Sequence, residues 1–501
     1  MNSQPLLVED PHLPLVWNAV MRYGLGISVL IFYFTAIMHF RYTPDDTYIY
    51  LQFAKNLAGG SGFSFNAGIP TFGVTGPLWV ALLAAGERLG LDPYVVAKTF
   101  DIIFASFSIV LLQLLAVVII KDRLYAFFAA WIFSFDAWLL RWSSSGMETS
   151  LAILLGLLTV WYAFHRDYYL AFFTCALLTL VRPEGIILFA VLVLDNFIDV
   201  RRHRAPVRYL LLAPTIYVLM VGGWLAYSYA QFGTIIPNTL ASKSGGAFDI
   251  RHVAASIFDI AAILGTTQAT SILVLLVTLW LVVSKAGFRD LWDIAFPMVW
   301  IVFLLVAYVV RDVQVLSRYI LPVTPLIILY ALWGLKRIEE GWKIAPAVMR
   351  RVLLAVAILS LVQNTYIYRS QVVPHVVGFT AGMNQCIRPI AYWLRTNSPR
   401  EATVVAPDVG LLGYVSDRTI YDPAGLISPE LREAFRPLTY DQGMVSGRYR
   451  RLLRPDFVVD RASIRERLTS DSLRPVISAE FPGLAIRNPQ PVYYTLYRTV
   501  K

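Results

Sequence analysis

Val95-Val-Ala-Lys-Thr-Phe-Asp101-Ile-Ile-Phe-Ala-Ser-Phe-Ser-Ile-Val-Leu-Leu-Gln-Leu-Leu-Ala-Val-Val-Ile-Ile120 is a long apolar run with nothing charged after Asp101. About 20 apolar residues cross the ~30 Å hydrocarbon core of a bilayer, so this run reads as a membrane span. Moving outward, Ile27–Phe40 precedes it. Leu124–Leu140, Leu151–Phe164, Tyr168–Val181, Ile186–Leu194, Leu210–Ala230, Ser271–Val283, Ile294–Val310, Tyr319–Leu335 and Val352–Val362 follow. The shorter runs need flanking residues to span. The expected fold class is a polytopic α-helical membrane protein with about eleven transmembrane helices. Composition agrees: hydrophobic residues make up 57% of the 501 positions and charged residues 15%, against about 25% charged in ordinary soluble domains.

Cys175 and Cys386 lie far apart, which excludes a disulfide framework and a cysteine metal cluster. The first apolar run lacks a small-residue cleavage site, so it reads as a span and not as a signal peptide. The net charge of +10 sits mostly in short loops, which speaks for membrane topology and against nucleic acid. Lys121/Arg123, Arg166, Arg201/Arg202/Arg204/Arg208, Lys285/Arg289 and Lys336/Arg337/Lys343/Arg350/Arg351 fall in alternate loops, cytoplasmic by the positive-inside rule. The N-terminus is then cytoplasmic. The outward segments are Arg41–Tyr94, Arg141–Thr149, Arg182–Gly185, Gln231–Thr267, Arg311–Arg318 and everything after about Gln371. Pro77–Leu91 reads as a helix lying in the outer interface, because a span there would reverse the basic loops. Residues 1–370 thus form a membrane module. Residues 371–501, with short strand-like stretches at Ala402–Ala406, Phe457–Val459 and Val492–Tyr497, form a small C-terminal α/β extracytoplasmic domain.

The chemistry-bearing residues gather on that outer face. Its first loop reads Arg41-Tyr-Thr-Pro-Asp45-Asp46-Thr-Tyr48-Ile-Tyr50-Leu-Gln-Phe-Ala-Lys55-Asn56-Leu-Ala-Gly59-Gly60-Ser-Gly62-Phe-Ser-Phe-Asn66. Pro44 can start an interfacial helix with both carboxylates at its positive end. Capping needs one acid, and the second stands where a span opens outward. Ser143-Ser-Ser-Gly-Met-Glu148, Arg182-Pro-Glu184-Gly, Asn238-Thr-Leu-Ala-Ser-Lys243 and Ser317-Arg318-Tyr319 reach the same face. Each has a bland account in capping, local pairing, solvation or snorkelling. Their convergence is the functional signal, since charges at membrane depth are costly. Asp101 and Asp136, within spans, read as structural hydrogen-bond acceptors. The histidines show no ligand spacing, and no phosphate-binding loop, nucleophile elbow or zinc pattern is present.

The Asp45-Asp46-x-Tyr48-Ile segment with Asn56 and Gly62-Phe-x-Phe-Asn66, followed by Thr75-Gly-Pro77-Leu-Trp79, resembles bacterial glycosyltransferases of the multispanning GT-C fold. Ser145-Gly-Met-Glu148-Thr, Arg182-Pro-Glu-Gly, Pro237-Asn238-Thr, Arg318-Tyr319, Asp408-Val-Gly-Leu-Leu-Gly413-Tyr and Asp422-Pro-Ala-Gly425-Leu fit the same pattern. Within that fold, the sequence resembles actinobacterial terminal arabinofuranosyltransferases. Protein O-mannosyltransferases and the lipid A aminoarabinose transferase are more distant.

The resemblance implies a sugar donor linked to polyprenyl phosphate, a cell-envelope glycan or other acceptor, and a bacterial plasma membrane. It implies Asp45 as general base, assisted by Asp46, with the two roles exchangeable. Arg318, Lys243 and Arg182 are expected to hold the donor phosphate. Tyr48, Trp79, Glu148 and Asn238 are expected to line the substrate groove, and Lys55 to be solvated. No cofactor beyond the lipid-linked sugar is required. A divalent metal bound by both aspartates is the alternative use of the pair. A transporter or flippase for a lipid-linked precursor is the rival function. It predicts polar groups along a central path instead of at one face.

Overall fold

A computed structural model describes residues 15–239, 250–283, 292–311, 314–435, 438–484 and 491–500. Among them, four helices are long and apolar enough to cross a membrane: Pro93–Ile120, Tyr209–Phe232, Ile250–Trp280 and Pro346–Asn397. Five shorter apolar helices accompany them: Tyr23–Met38, Arg123–Ser134, Thr149–Phe164, Tyr168–Val181 and Ala295–Val310. The expected run Leu124–Leu140 is not one helix. It stops at Ser134 and restarts at Ala137 because Asp136 caps the second piece, accepting from the Leu139 amide at 2.8 Å and from Gln268 Nε2 at 2.7 Å. Buried in a span, that carboxylate uses helix-end amides that would otherwise go unpaired.

Four helices open the chain, and the second of them carries the first-loop aspartates. Helix α1 spans Leu15–Met38, α2 Asp45–Ala58, α3 Pro77–Arg88 and α4 Pro93–Ile120. Pro44 precedes α2 in an extended conformation, and Asp45 and Asp46 occupy its first turn, where the helix dipole favours anions. Gly59 ends α2, and Gly60, Gly62 and Gly68 adopt positive φ in the turns that follow. At 12 residues, α3 is too short to cross ~30 Å. Asp92 caps α4 through the Tyr94 amide at 2.8 Å. Asp101 inside α4 is structural: it accepts from Ser145 Oγ at 3.1 Å, the Gly146 amide at 2.9 Å, and Ser150 Oγ.

At the opposite end the basic loops meet acids of neighbouring turns. Lys336 lies 3.0 Å from Asp122 and 2.9 Å from Glu339, and Arg166 lies 2.9 Å from Asp199.

The C-terminal part begins as a continuation of a long helical rod. Pro346–Ile367 runs through a π turn at Tyr368–Val372, helix Val373–Gly382, a second π turn at Met383–Ile387 and helix Arg388–Asn397. The expected boundary near 371 therefore falls within a helix and not in a linker. Beyond it, β1 (Thr403–Val405), β2 (Thr419–Tyr421), β3 (Phe457–Ala462), β4 (Leu473–Glu480) and β5 (Tyr493–Thr499) form one mixed sheet in the order β2-β1-β3-β5-β4. β1 pairs in parallel with β2 and β3, while β5 runs antiparallel to β3 and β4.

Candidate active site

The two aspartates of α2 have different surroundings. Asp45 Oδ2 accepts from the Gly410 amide at 2.8 Å and Oδ1 from the Leu411 amide at 2.9 Å. Both oxygens are thus committed to the start of the Gly410–Ser416 helix, beside the sheet. Burial pushes the Asp45 carboxyl up to about 7, and the nearby Asp408 carboxylate pushes in the same direction. Asp408 is itself held by Arg461 Nη1 at 3.0 and 3.2 Å and by Tyr494 Oη at 2.5 Å.

This contact has no room for a side chain. A Cβ at Gly410 would lie 2.0 Å from the Asp45 carbonyl oxygen. Gly410→Ala should therefore force α2 and the sheet apart at a cost of about 1–3 kcal/mol or more. The check is a clear fall in the thermal unfolding midpoint of the detergent-solubilised protein.

The raised Asp45 pKa also predicts a pH slope. The folded protein holds a proton up to about pH 7, whereas an unfolded aspartate releases it near pH 3.9. The folded state then binds more protons across that window, so stability falls as pH rises from about 4 to about 7. Asp45→Asn cannot ionise and should flatten this part of the melting-temperature profile.

The rest of the first-loop motif fastens the same junction. Asn66 Nδ2 donates to the Ile420 carbonyl at 2.8 Å, and its Oδ1 accepts from the Ile420 amide at 3.0 Å. Lys55, expected to be solvated, pairs with Asp417 at 2.9 Å. Asn56 donates to the Ser64 and Phe65 carbonyls at 2.9 and 2.7 Å. Asn238 Nδ2 donates to the Leu426 carbonyl at 3.1 Å, in the turn whose amides bind Asp422. Asn66, Lys55 and Asn238 join the membrane helices to the sheet-bearing part, whereas Asn56 holds the turns of the first loop itself.

Asp46, Ile49 and Tyr50, on the other side of α2, line a cleft. Glu148, Arg182, Glu184, Tyr308, Arg311, Arg318 and Tyr319 complete its polar wall. Arg318 Nη2 lies 2.6 Å from Asp46 Oδ2, and the Asp46 side chain stays 45% exposed. Arg182 pairs with Glu148 at 3.0 Å and lies 3.6 Å from Glu184. The Arg318 guanidinium stands 5.3 Å from the Trp142 ring and 5.4 Å from the Tyr319 ring. Arg182 stands 4.8 Å from that same tyrosine. Arg318 is 5% exposed and Glu148 3%. Among the described residues, Arg318 Nε and Glu148 Oε2 are buried without a hydrogen-bond partner. A buried donor or acceptor left unmade costs about 1–3 kcal/mol, a cost that a ligand able to reach these atoms would remove.

The expected site residues thus separate. Asp46, Glu148, Arg182 and Arg318 come together in the cleft. Asp45 and Asn238 serve the junction. Trp79 is fully buried and donates to the Gly146 carbonyl at 3.2 Å, so it lines no groove. Tyr48 faces a different cavity, described below. Lys243 lies outside the described residues. Both Asp45 oxygens accept amide hydrogens, while Asp46 pairs with Arg318. The described residues hold no cluster of three or more His, Cys, Asp or Glu suited to a metal. The sequence reading missed Glu184 and Arg311 as cleft residues. It also missed Lys98, buried in α4 and donating to the Tyr42 and Ser144 carbonyls. A lysine inside an apolar run was the available signal for the last.

Residues 370–497 match a domain of unknown function, DUF8728. No curated protein matches the sequence. Among solved structures, the apo oligosaccharyltransferase of Archaeoglobus fulgidus aligns over 88% of this chain and 70% of its own, at TM-score 0.58 and 14% identity. ArnT from Cupriavidus metallidurans bound to undecaprenyl phosphate aligns over 94% of this chain and 97% of its own, at TM-score 0.53 and 14% identity. The apo state of ArnT gives TM-score 0.56 at 12% identity, over 94% and 98%. At such identities the likeness establishes architecture: the chain has the GT-C fold.

Proposed function

We propose that this protein is a membrane glycosyltransferase that moves a single sugar from a polyprenyl-phosphate donor to a cell-envelope acceptor. The observation that carries the reading is the cleft, where an exposed carboxylate and two buried arginines meet at the membrane face of a GT-C fold. The ArnT relative binds undecaprenyl phosphate, which supports a lipid-linked donor here.

The acceptor hydroxyl oxygen attacks the anomeric carbon and its proton passes to the Asp46 carboxylate. The bond from that carbon to the phosphate oxygen breaks, and the polyprenyl phosphate leaves with the bonding electrons. Arg318, with Arg182 and Arg311 beside it, stabilises the charge that develops there. Asp46 takes the base role in this reading because it faces the cleft, while Asp45 holds the sheet. The basic loops support an orientation with the cleft and the sheet on the outer side, and the family resemblance suggests a bacterial plasma membrane. The arabinofuranose expectation and the count of about eleven spans rest on the sequence pattern.

The reading is tested by transfer with purified protein in detergent. Labelled polyprenyl-phosphate arabinose and polyprenyl-phosphate hexoses are offered with a crude envelope glycan. Transfer from one donor establishes the reaction and names the sugar. Absence of both transfer and donor binding would overturn it.

A further inference from the structure

A second cavity lies on the opposite side of α2 from the cleft. Its lining includes Arg41, Arg388, Tyr48, Tyr94, Thr43 and Asn384, with no acidic residue among the described lining. Asp46, Ile49 and Tyr50 share one face of α2, and Tyr48 stands on the other, as the helical repeat requires. Arg388 Nη2 donates to Tyr48 Oη at 3.2 Å, and its Nε donates to Asn384 Oδ1 at 3.0 Å. The Thr43 and Tyr94 hydroxyls are 3.0 Å apart, and the Tyr48 and Tyr94 rings stack at 6.3 Å. Asn384 belongs to the π turn Met383–Ile387. Such bulges in helices are frequent at functional positions.

The surroundings identify the occupant. Ile27, Leu30, Ile31, Phe34 and Met38 are all exposed on α1, with Met38 at 81%. Their spacing draws one apolar stripe that ends a turn before the exposed Arg41. Arg41 lies three residues past the end of α1 and Tyr94 in the first turn of α4, which in a bilayer sets the cavity where hydrocarbon gives way to the headgroup region. Tyrosine hydroxyls favour that level, and guanidinium forks suit phosphate oxygens. Two arginines without a facing acid favour an anion, and the stripe below favours one that carries acyl chains.

We propose that this cavity binds the phosphate of an anionic membrane phospholipid whose acyl chains lie along α1. This inference is independent of the transfer reaction and needs only α1 in a bilayer.

The test reconstitutes the full chain in nanodiscs of phosphatidylcholine doped with phosphatidylglycerol. Lipid retained on release is then counted by native mass spectrometry. The native protein should keep phosphatidylglycerol preferentially, and Arg41→Gln/Arg388→Gln should lose about tenfold or more of that preference. Arg337→Gln, a half-exposed arginine paired with Glu340 at the other end of the bundle, should keep it. Should the double variant fail to fold, Arg41→Gln alone, at an exposed position, should still lose about fivefold. Equal retention by the arginine variants overturns the proposal. So does equal binding of inorganic phosphate in lipid-free detergent, which would make this a site for free anions.

Discussion

Asp46→Asn is expected to lower the turnover of sugar transfer about a thousandfold, the range a positioned general base contributes. Donor binding should change by only a few-fold. The substitution keeps the shape of the side chain and one oxygen facing Arg318, which lies 2.6 Å away in the native protein, but it removes the atom that takes the proton. A fall in kcat with little change in donor KM is the signature of an interaction made in the transition state. Asp45→Asn supplies the contrast. It weakens a carboxylate that bridges two amides of the sheet-bearing part, so its main effect should be on thermal stability and its pH profile, with turnover reduced far less. Near-native turnover in Asp46→Asn, or a larger loss in Asp45→Asn, would return the base role to Asp45.

That distinction between neighbours shows where sequence reading runs out. The spans were legible because bilayer thickness imposes a length and a composition that a single run displays, as in Val95–Ile120. The charge of the surrounding loops argued against a span at Pro77–Leu91, and α3 there is only 12 residues long. The gathering of Asp46, Glu148, Arg182 and Arg318 followed from topology, which puts alternate loops on one face. Which aspartate looks into the cleft was not legible. Adjacent residues on a helix point about 100° apart, and the phase of α2 is set by Gly410 and Leu411, some 365 positions later in the chain. The roles of Asn66, Asn238 and Lys55 were not legible for the same reason, as their partners Ile420, Leu426 and Asp417 come from the sheet-bearing part. Trp79 was expected to line a groove on the strength of the family resemblance. Its indole donates inward to Gly146, and no local pattern announces that.

Arg318→Ala is expected to cost about 10²–10³ in kcat/KM, the loss typical when one preorganised donor to a developing charge is removed. The arrangement around the three cleft arginines explains why Arg318 should matter most. Arg182 has Glu148 at 3.0 Å and Glu184 at 3.6 Å, so its charge is largely answered within the protein. Arg318 has Asp46 on Nη2, while its Nε is buried without a partner among the described residues. The Trp142 and Tyr319 rings beside it fix the plane of the fork, and preorganisation of this kind lets a cation act without reorganising as charge develops. Arg318→Lys should recover part of the loss, since the charge returns but the planar pair of donors does not. The measurement is donor dependence at saturating acceptor. Both variants should raise donor KM and lower kcat in the order Ala worse than Lys, with acceptor KM little changed. An alanine variant with native donor kinetics would show that the phosphate is held elsewhere in the cleft. Arg182 and Arg311 would then be the residues to replace. Equal losses in alanine and lysine variants would mean that the fork, and not the charge, carries the effect.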